Sequence, residues 1–162
     1  MRVAVVPAMN EEGRIGKVLT MLKRAPLDKI LVVVNGSKDN TYAEIEALDI
    51  GHVEVILFEP ELGIDVPRAV GAYRAYQEGA QLVVFVDGDM IGKIHGVIRR
   101  LIYEVICHRT DLAMTDCYPQ IPYGNKLADQ MLAYRKLLNV DLDIYSKVKV
   151  ATPSHGPHVV SR

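Results

Sequence analysis

Short valine-rich runs alternate with helical patterns along the first two-thirds of the chain, and this alternation constrains the fold more than any other feature. The four clearest runs are RVAVVPA, KILVVVNG, VEVILF and QLVVFVDG. Strands that are apolar on both faces are typical of a parallel sheet covered by helices. The β–α order independently favours a doubly wound α/β domain, with a mostly parallel sheet and helices on both faces.

The segments between these runs carry helical signals. Apolar residues at helical spacing follow the first run, and they are Ile15, Val18, Leu19 and Leu22. Thr41 and Glu44 have the spacing of a capping box ahead of YAEIEALDI. Further helices are predicted for DVPRAVGAYRAYQEGA, KIHGVIRRLIYEVICHR and KLADQMLAYRKLLNV, a fifth strand for DLAMTDCY and an extended segment for KVKVATPSH. We expect residues 1–162 to form a single domain.

Composition and charge exclude several classes of protein. A net charge of -1 and a pI near 6.5 give no broad positive surface, so no nucleic-acid partner is expected. No apolar run approaches the roughly 20 residues that cross a bilayer, and the apolar start is too short for a signal peptide. Cys107 and Cys117 lack zinc or redox spacing and are interpreted as free thiols. We expect a cytoplasmic protein; peripheral membrane contact and a homodimer stay open.

An acidic tripeptide, Asp87-Gly88-Asp89, ends the fourth run. Residues two apart in a strand point to the same side, so the two carboxylates converge if the strand persists. About 6 Å apart, at an effective dielectric of ~20, they would repel by roughly 2–3 kcal/mol. A divalent cation would reverse this repulsion, and oxygen ligands suit Mg²⁺ or Mn²⁺. Gly88 leaves room for close approach of a ligand. The alternative is a D-G turn with solvated acids.

Polar segments follow the other three runs, and they are PAMNEEGRIG, VNGSKDNT and ELGIDVPRAVGA. Ligands of doubly wound sheets bind beyond the carboxyl ends of the strands, so these segments are candidate ligand contacts. Structural alternatives exist for each. Asn10 would cap one helix and Asp39 or Thr41 the next, while Asp65 and Arg68 would form a surface pair contributing about 0–1 kcal/mol. Neither a dinucleotide-binding glycine pattern nor a P-loop follows the first run.

Two histidines lie near the end of the chain, in TPSHGPHVVSR. His155 and His158 are candidate metal ligands, and the alternative is an ordinary proline-rich loop. A Ser–His hydrolase is weakly supported because no G-x-S-x-G pattern occurs.

Taken in order, PAMNEEGRIGKVL, VVVNGSKDNT, LGIDVPRAVGA and LVVFVDGDM resemble the family 2 glycosyltransferases of the GT-A fold. The resemblance covers about residues 2–92 well and the remainder more loosely. It implies transfer of a sugar from a nucleotide-diphosphate donor to an acceptor, with a divalent metal, Mg²⁺ or Mn²⁺, at the D-x-D motif.

The resemblance also implies roles for individual residues. It assigns nucleotide-sugar contacts to residues after the first three runs, which are Pro7, Ala8, Asn10, Glu12, Asn35, Ser37, Asp65 and Arg68. It places Asp87 on the donor ribose or sugar, with Gly88 beside it, and Asp89 on the metal that bridges the two phosphates. The metal would neutralise charge on the departing nucleoside diphosphate. Some retaining members use a late histidine as a further ligand, and His158 is preferred over His155 for that role.

The chain departs from the family pattern in two places. The D-D-G-S segment reads Val34-Asn35-Gly36-Ser37, so an acid often placed to read uracil is missing and the base stays open. The family also carries a longer second half with the acceptor site and, in inverting members, a catalytic carboxylate. Asp116, at the end of the predicted fifth strand, is the best candidate for that acid. A sugar-phosphate nucleotidyltransferase and a non-catalytic nucleotide-binding module remain the alternative functions.

Overall fold

The structure is a computed structural model that describes residues 1–63, 65–115 and 156–162, with single residues and pairs between 124 and 137. The chain divides into two compact units, Met1–Met114 with Pro157–Arg162, and Thr115–Gly156. In the second unit, residues 126–127, 129–130, 133–134 and 137 are helical, as predicted from KLADQMLAYRKLLNV. Asp116, His155 and the predicted extended segment KVKVATPSH lie outside the described residues.

The described residues of the first unit form a six-stranded sheet. Its strands are β1 (Arg2–Ala8), β2 (Lys29–Asn35), β3 (Val53–Phe58), β4 (Leu82–Phe85), β5 (Leu112–Met114) and β6 (His158–Ser161), in the order β3-β2-β1-β4-β6-β5. The first four strands pair in parallel, whereas β6 runs antiparallel between β4 and β5. The prediction of a mostly parallel sheet is confirmed. The first five strands fall where the sequence predicts them, and β6 is an addition.

Helices cover both faces of the sheet, as predicted. They are α1 (Ile15–Leu22), α2 (Thr41–Glu46), α3 (Val66–Gln77) and α4 (Ile94–His108). Alternate residues of β1, such as Ala4 and Val6, share a core with the apolar residues of α1 and α4. Val3 points to the other face, where it clusters with Ala75 of α3. Both faces of β1 are therefore buried, which explains why the run is apolar at consecutive positions. No helix in the described part of the chain is long and apolar enough to span a membrane.

A glycine lets α3 lie close to the sheet. A Cβ at Gly71 would overlap the side chain of Val5 and lie 3.3 Å from Val33 Cγ2. The helix packs directly against β1 and β2, and its first turn shares a cleft with Ala8 and Asn35, the last residues of these strands. This contact positions the first turn of α3 to form one wall of the site described below.

The capping predictions that involve Asn10 and the Thr41–Glu44 pair are wrong, whereas Asp39 Oδ1 does accept from the N–H of Thr41, the first residue of α2, at 3.0 Å. The N-cap of α2 is Asn40, and it makes no side-chain capping hydrogen bond. Glu44 accepts instead from the N–H groups of Gly13 (2.6 Å) and Gly16 (3.0 Å). Asn10 does not cap α1, whose N-cap is Arg14. A capping-box spacing predicts hydrogen-bond partners within one helical turn. It cannot predict that Glu44 accepts from N–H groups about 30 residues away in the sequence.

Candidate functional site

An open cleft of about 430 Å³ lies at the carboxyl ends of β1, β2 and β4. Its walls come from the loops after these strands, the loop after β3 and the first turn of α3. The lining residues are Pro7, Ala8, Met9, Glu11, Asn35, Glu61, Gly63, Pro67, Arg68, Asp87, Gly88 and Asp89. The cleft therefore lies at the sheet edge where the topology of the sequence predicts ligand binding.

The predicted contact residues divide into two groups. Those that line the cleft are Pro7, Ala8, Asn35, Arg68, Asp87, Gly88 and Asp89. Those that lie outside its lining are Asn10, Glu12, Ser37 and Asp65. Residues that line it without having been predicted are Met9, Glu11, Glu61, Gly63 and Pro67.

The two predicted acids, Asp87 and Asp89, share the cleft for a reason other than the one the sequence suggests. The strand β4 ends at Phe85, so both acids follow the strand and Asp89 lies in a turn. Strand alternation therefore does not bring them together. The turn is fixed by the N–H of Gly88, which donates to the carbonyl of Pro7 at 3.2 Å. A Cβ at Gly88 would lie only 3.0 Å from that oxygen, so the glycine permits this approach.

Asp87 and Asp89 differ in whether a positively charged side chain lies next to their carboxylate. The guanidinium of Arg68 forms an ion pair with Asp87, and both side chains are about 30% exposed. The alternative surface pair between Arg68 and Asp65 is not found among the described residues. The carboxylate of Asp89 accepts no hydrogen bond and forms no ion pair within the described part of the chain. One acid of the pair is therefore neutralised by the protein, and the other is available to a cation.

Glu11 is a third acid of the cleft, and its side chain is 15% exposed. Arg14 Nε lies 2.7 Å from Glu11 Oε2, but its N–H does not point at that buried oxygen, which receives no hydrogen bond from the described residues. Burial raises the pKa of Glu11; Arg14 opposes this effect, and the nearby carboxylates of Asp89, Asp39 and Asp87 add to it. The sequence assigned this loop position to Glu12, which instead binds Asn40. Nothing in the spacing of two adjacent glutamates shows which one faces the ligand.

Asn35 shapes a wall of the cleft through both ends of its side-chain amide. Its Oδ1 accepts from the N–H of Leu62 (2.9 Å), and its Nδ2 donates to the carbonyl of Gly63 (3.1 Å). The residue is 3% exposed. Next to it, Gly36 has a φ of +68° and lies so close to the loop that a Cβ would be 2.6 Å from Glu61 N. Asn35 therefore ties the end of β2 to the loop that precedes α3.

His158 begins β6 at the same edge of the sheet, opposite Phe85. Its ring stacks on the ring of Phe85, with centroids 4.8 Å apart. It does not line the cleft. The chain does return to this edge, as a late histidine ligand would require, but the ring lies against an aromatic neighbour.

The acids of the cleft fit a metal that is shared with a ligand. Within the described residues, no group of three or more histidine, cysteine, aspartate or glutamate side chains is arranged to hold an ion alone. Mg²⁺ typically takes one or two carboxylates and completes its shell with phosphate oxygens and water. Asp89, whose carboxylate has no partner among the described residues, could supply such a ligand, and Asp87 lies two residues before it.

Comparison with protein families gives a match over most of the chain. Residues 3–154 match the family described as Glycosyl transferase family 2. A curated relative, the UDP-N-acetylglucosamine–dolichyl-phosphate N-acetylglucosaminyltransferase of Methanococcus voltae, is 31% identical over 99 residues, which are 52% of this chain and 39% of the relative. The chain therefore spans well under half the length of this relative.

Two solved proteins share the fold at lower sequence identity. Glucosyl-3-phosphoglycerate synthase from Mycobacterium tuberculosis, in a complex with Mn²⁺, UDP-glucose and phosphoglyceric acid, is similar over 99% of this chain and 56% of its own, with a TM-score of 0.68 and 20% identity. TarS from S. aureus, in a complex with UDP-GlcNAc, is similar over 75% of this chain and 36% of its own, with a TM-score of 0.58 and 22% identity. The fold is that of the GT-A glycosyltransferases.

Proposed function

The chain belongs to glycosyl transferase family 2, and we propose that its cleft binds the nucleotide-diphosphate sugar from which a glycosyltransferase moves the sugar to an acceptor. The observation that carries this proposal is the Asp87–Asp89 turn. It sets one carboxylate paired with Arg68, and one without a partner in the described part of the chain, on the wall of the same cleft at the carboxyl edge of a mostly parallel sheet. Sheets of this kind bind nucleotides at that edge.

A divalent cation, Mg²⁺ or Mn²⁺, is part of the proposal, with Asp89 as its ligand. When bound, such a cation stabilises the negative charge that develops on a departing diphosphate. The Mn²⁺ in the complex of the mycobacterial synthase supports this assignment. A UDP-sugar is the proposed donor, because the Methanococcus relative is named for UDP-N-acetylglucosamine and the synthase complex contains UDP-glucose.

The residues of the chain contribute binding and orientation. Arg68 holds Asp87 in place and offsets its charge beside the space for the diphosphate. Asn35 fixes the wall formed by the loop after β3. The transfer itself requires an acceptor hydroxyl to attack the sugar carbon while the nucleoside diphosphate leaves. Asp116 remains the candidate base for that hydroxyl, and His158 the candidate further metal ligand.

Donor binding is tested by heat unfolding of the chain with UDP-, GDP- and ADP-sugars, each with and without Mn²⁺. A ligand at 100 times its Kd stabilises the folded state by about 2.7 kcal/mol. We expect a rise in Tm with a UDP-sugar that depends on the metal. Absence of any rise across the panel, with Mn²⁺ present, would show that the cleft does not bind a nucleotide-sugar.

The role of Asp89 is tested by Asp89→Asn, with Asp49→Asn as a matched control on an exposed position. The first variant keeps the size of the side chain but removes the charge that attracts the cation, so the metal-dependent part of the Tm rise should disappear. The control should respond like the wild type. A full metal response in Asp89→Asn would exclude Asp89 as the ligand.

A further inference from the structure

The loop that joins β1 to α1 is held by side chains from a different part of the sequence. Five N–H groups of this loop and of the first turn of α1 donate to side-chain oxygens within residues 37–44. The donor and acceptor pairs are Asn10–Ser37 (3.0 Å), Glu11–Thr41 (2.7 Å), Glu12–Asp39 (3.0 Å), Gly13–Glu44 (2.6 Å) and Gly16–Glu44 (3.0 Å). We call the four acceptors, Ser37, Asp39, Thr41 and Glu44, the clasp.

Bonds also run in the opposite direction, from residues 37–44 to the loop. The N–H of Lys38 donates to Asn10 Oδ1 (2.8 Å), and the side-chain amide of Asn40 donates to Glu12 Oε1 (2.8 Å). The two segments therefore hold each other at several points along their length. This explains why Asn10, Glu12 and Ser37, which the sequence assigned to the ligand, lie outside the lining of the cleft.

Glu44 of the clasp accepts from N–H groups at the start of α1, a position where many helices bind anions. The first N–H groups of a helix have no partner within the helix, and in many nucleotide-binding proteins they receive a phosphate. Here Glu44 takes those of Gly13 and Gly16, and the carbonyl of Glu11 takes those of Arg14 and Ile15. The start of α1 is therefore committed to contacts within the protein.

The clasp reaches the cleft through Glu11. Its N–H is fixed by Thr41 Oγ1, and Thr41 is fully buried. Its side chain lines the cleft, and its Cγ lies 3.3 Å from the position that a Cβ on Gly88 would occupy. The preceding residue, Asn10, has a φ of +56°, in the left-handed region that asparagine adopts more readily than most other non-glycine residues. Its N–H and its Oδ1 are both bound by residues 37–38, so these contacts act on the turn that precedes Glu11.

We propose that Thr41 and Glu44 are positioning residues of the cleft, which they do not line. They fix the main chain from Glu11 to Gly16, and through the Glu11 side chain they fix the place of the Asp87–Asp89 turn. The effect on ligand binding rests on the proposed function above, whereas the effect on the geometry of the turn does not.

Two pairs of matched variants separate positioning from general stability. Glu44→Gln replaces one acceptor oxygen by an NH₂ group, which cannot accept from the N–H groups of the loop. Its control is Glu46→Gln, on the same helix, because Glu46 is exposed and accepts only from Tyr42 among the described residues. Thr41→Val removes, at nearly constant volume, the hydroxyl that accepts from the N–H of Glu11 and donates to Asp39 Oδ1. Thr41→Ser restores both bonds.

Hydrogen exchange without any ligand provides the first test. In Glu44→Gln and Thr41→Val, we expect exchange to become several-fold faster in peptides that cover residues 9–16 and in those that cover residues 86–90. Glu46→Gln and Thr41→Ser should match the wild type in both regions. Faster exchange confined to residues 9–16, or spread evenly over the sheet, would overturn the inference, because a merely structural role predicts those patterns.

The second test is the Kd for UDP in the presence of Mn²⁺, measured by calorimetry below the Tm of every variant. We expect Glu44→Gln and Thr41→Val to bind about fivefold more weakly, as when the contribution of one hydrogen bond is lost. The two controls should stay within about twofold of the wild type. A wild-type Kd retained in both Glu44→Gln and Thr41→Val would overturn the inference. If the wild type itself does not bind UDP, the proposed function fails, and hydrogen exchange still decides the role of the clasp.

Discussion

Gly88 separates the two acids of the cleft, and the space around it is narrow. A methyl group at this position would lie 3.0 Å from the carbonyl oxygen of Pro7 and 3.3 Å from Ile15 Cδ1. We expect Gly88→Ala to lower the free energy of unfolding by about 1–3 kcal/mol, as overpacking of a buried site does. Urea denaturation at neutral pH measures this change.

Gly96→Ala is the control for this substitution. Gly96 lies within α4, and a Cβ there would have no neighbour within 4 Å. Alanine in a helix is more favourable than glycine by roughly 0.5–1 kcal/mol, so this variant should be more stable than the wild type. If both alanine variants gained stability, the turn would have more room beside β1 than the contacts of Gly88 indicate.

The sequence correctly predicted those cleft residues that are polar and that directly follow a buried strand. Asp87 and Asp89 are polar residues directly after a buried strand, so the topology alone sends them to the ligand edge. The sequence prediction failed for loop residues, where the direction of the side chain decides which residue faces the cleft. Asn10 has a left-handed backbone, which turns Glu11 towards the cleft and leaves Glu12 with Asn40. No periodicity applies to such a turn, so the two glutamates could not be distinguished.

At the level of elements, an ion network joins β2, β3 and the end of α3. Lys29 Nζ lies 2.5 Å from Glu54 and 2.7 Å from Glu78, and Arg74 contacts both acids. The hydrogen bond from Lys29 lowers the pKa of Glu54 below its usual 4.5. Burial would lower the pKa of Lys29, but its bonds to the two glutamates outweigh this effect and raise the pKa above 10.5.

Glu54→Gln should therefore reduce stability by about 0.5–1.5 kcal/mol at pH 7. A carboxyl group with a lowered pKa stabilises the fold above its ordinary pKa, and this contribution is lost as the pH falls through the folded value. The difference between variant and wild type should hence shrink as the pH falls below about 4.5. Denaturant titrations from pH 3 to pH 7 measure this difference in the free energy of unfolding.

Glu59→Gln is the control, because Glu59 is exposed and has no ion pair among the described residues. Its free energy of unfolding should differ little from that of the wild type. A difference between Glu54→Gln and the wild type that stays constant from pH 3 to pH 7 would contradict the assignment.

The long apolar strands β1 and β2 were easier to predict than β6, the last strand of the chain. The buried runs in β1 and β2 are readily predicted as strands, because few other elements are apolar at consecutive positions. His158–Ser161 has four residues and follows two prolines, so the sequence suggested a loop. Its strand conformation depends on pairing with Phe85 and Met114, far away in the chain. Partners at such separation leave no local signal.

On the scale of the whole molecule, the first unit is built from both ends of the chain. Pro157–Arg162 belongs with Met1–Met114, and β6 separates β4 from β5 in the sheet. We propose that residues 1–162 form one GT-A-like domain, which heat should unfold in a single transition. The residues that line the cleft come from the first part of the chain and β6 from the last, so we expect the stability of the cleft to depend on both parts.

Val159 provides the test of this dependence. It lies between Val84 and Ala113 in the sheet and is fully buried in the core that α1 and α4 share. Val159→Ala should lower the free energy of unfolding by about 1–3 kcal/mol, because it removes buried methyl groups and leaves a cavity. Val160 lies one residue further along, on the opposite face, and is partly exposed. Val160→Ala should therefore lower the free energy of unfolding by less.

Hydrogen exchange tests whether β6 belongs to the cooperative unit. The buried amides of β1 and β2 are expected to exchange only through global unfolding. If β6 unfolds with them, the free energy of opening at these amides should fall in Val159→Ala by as much as the free energy of unfolding. Acceleration limited to β6 and β5 would show instead that the C-terminal strand opens by itself, and that the cleft at the ends of β1, β2 and β4 is stable without it.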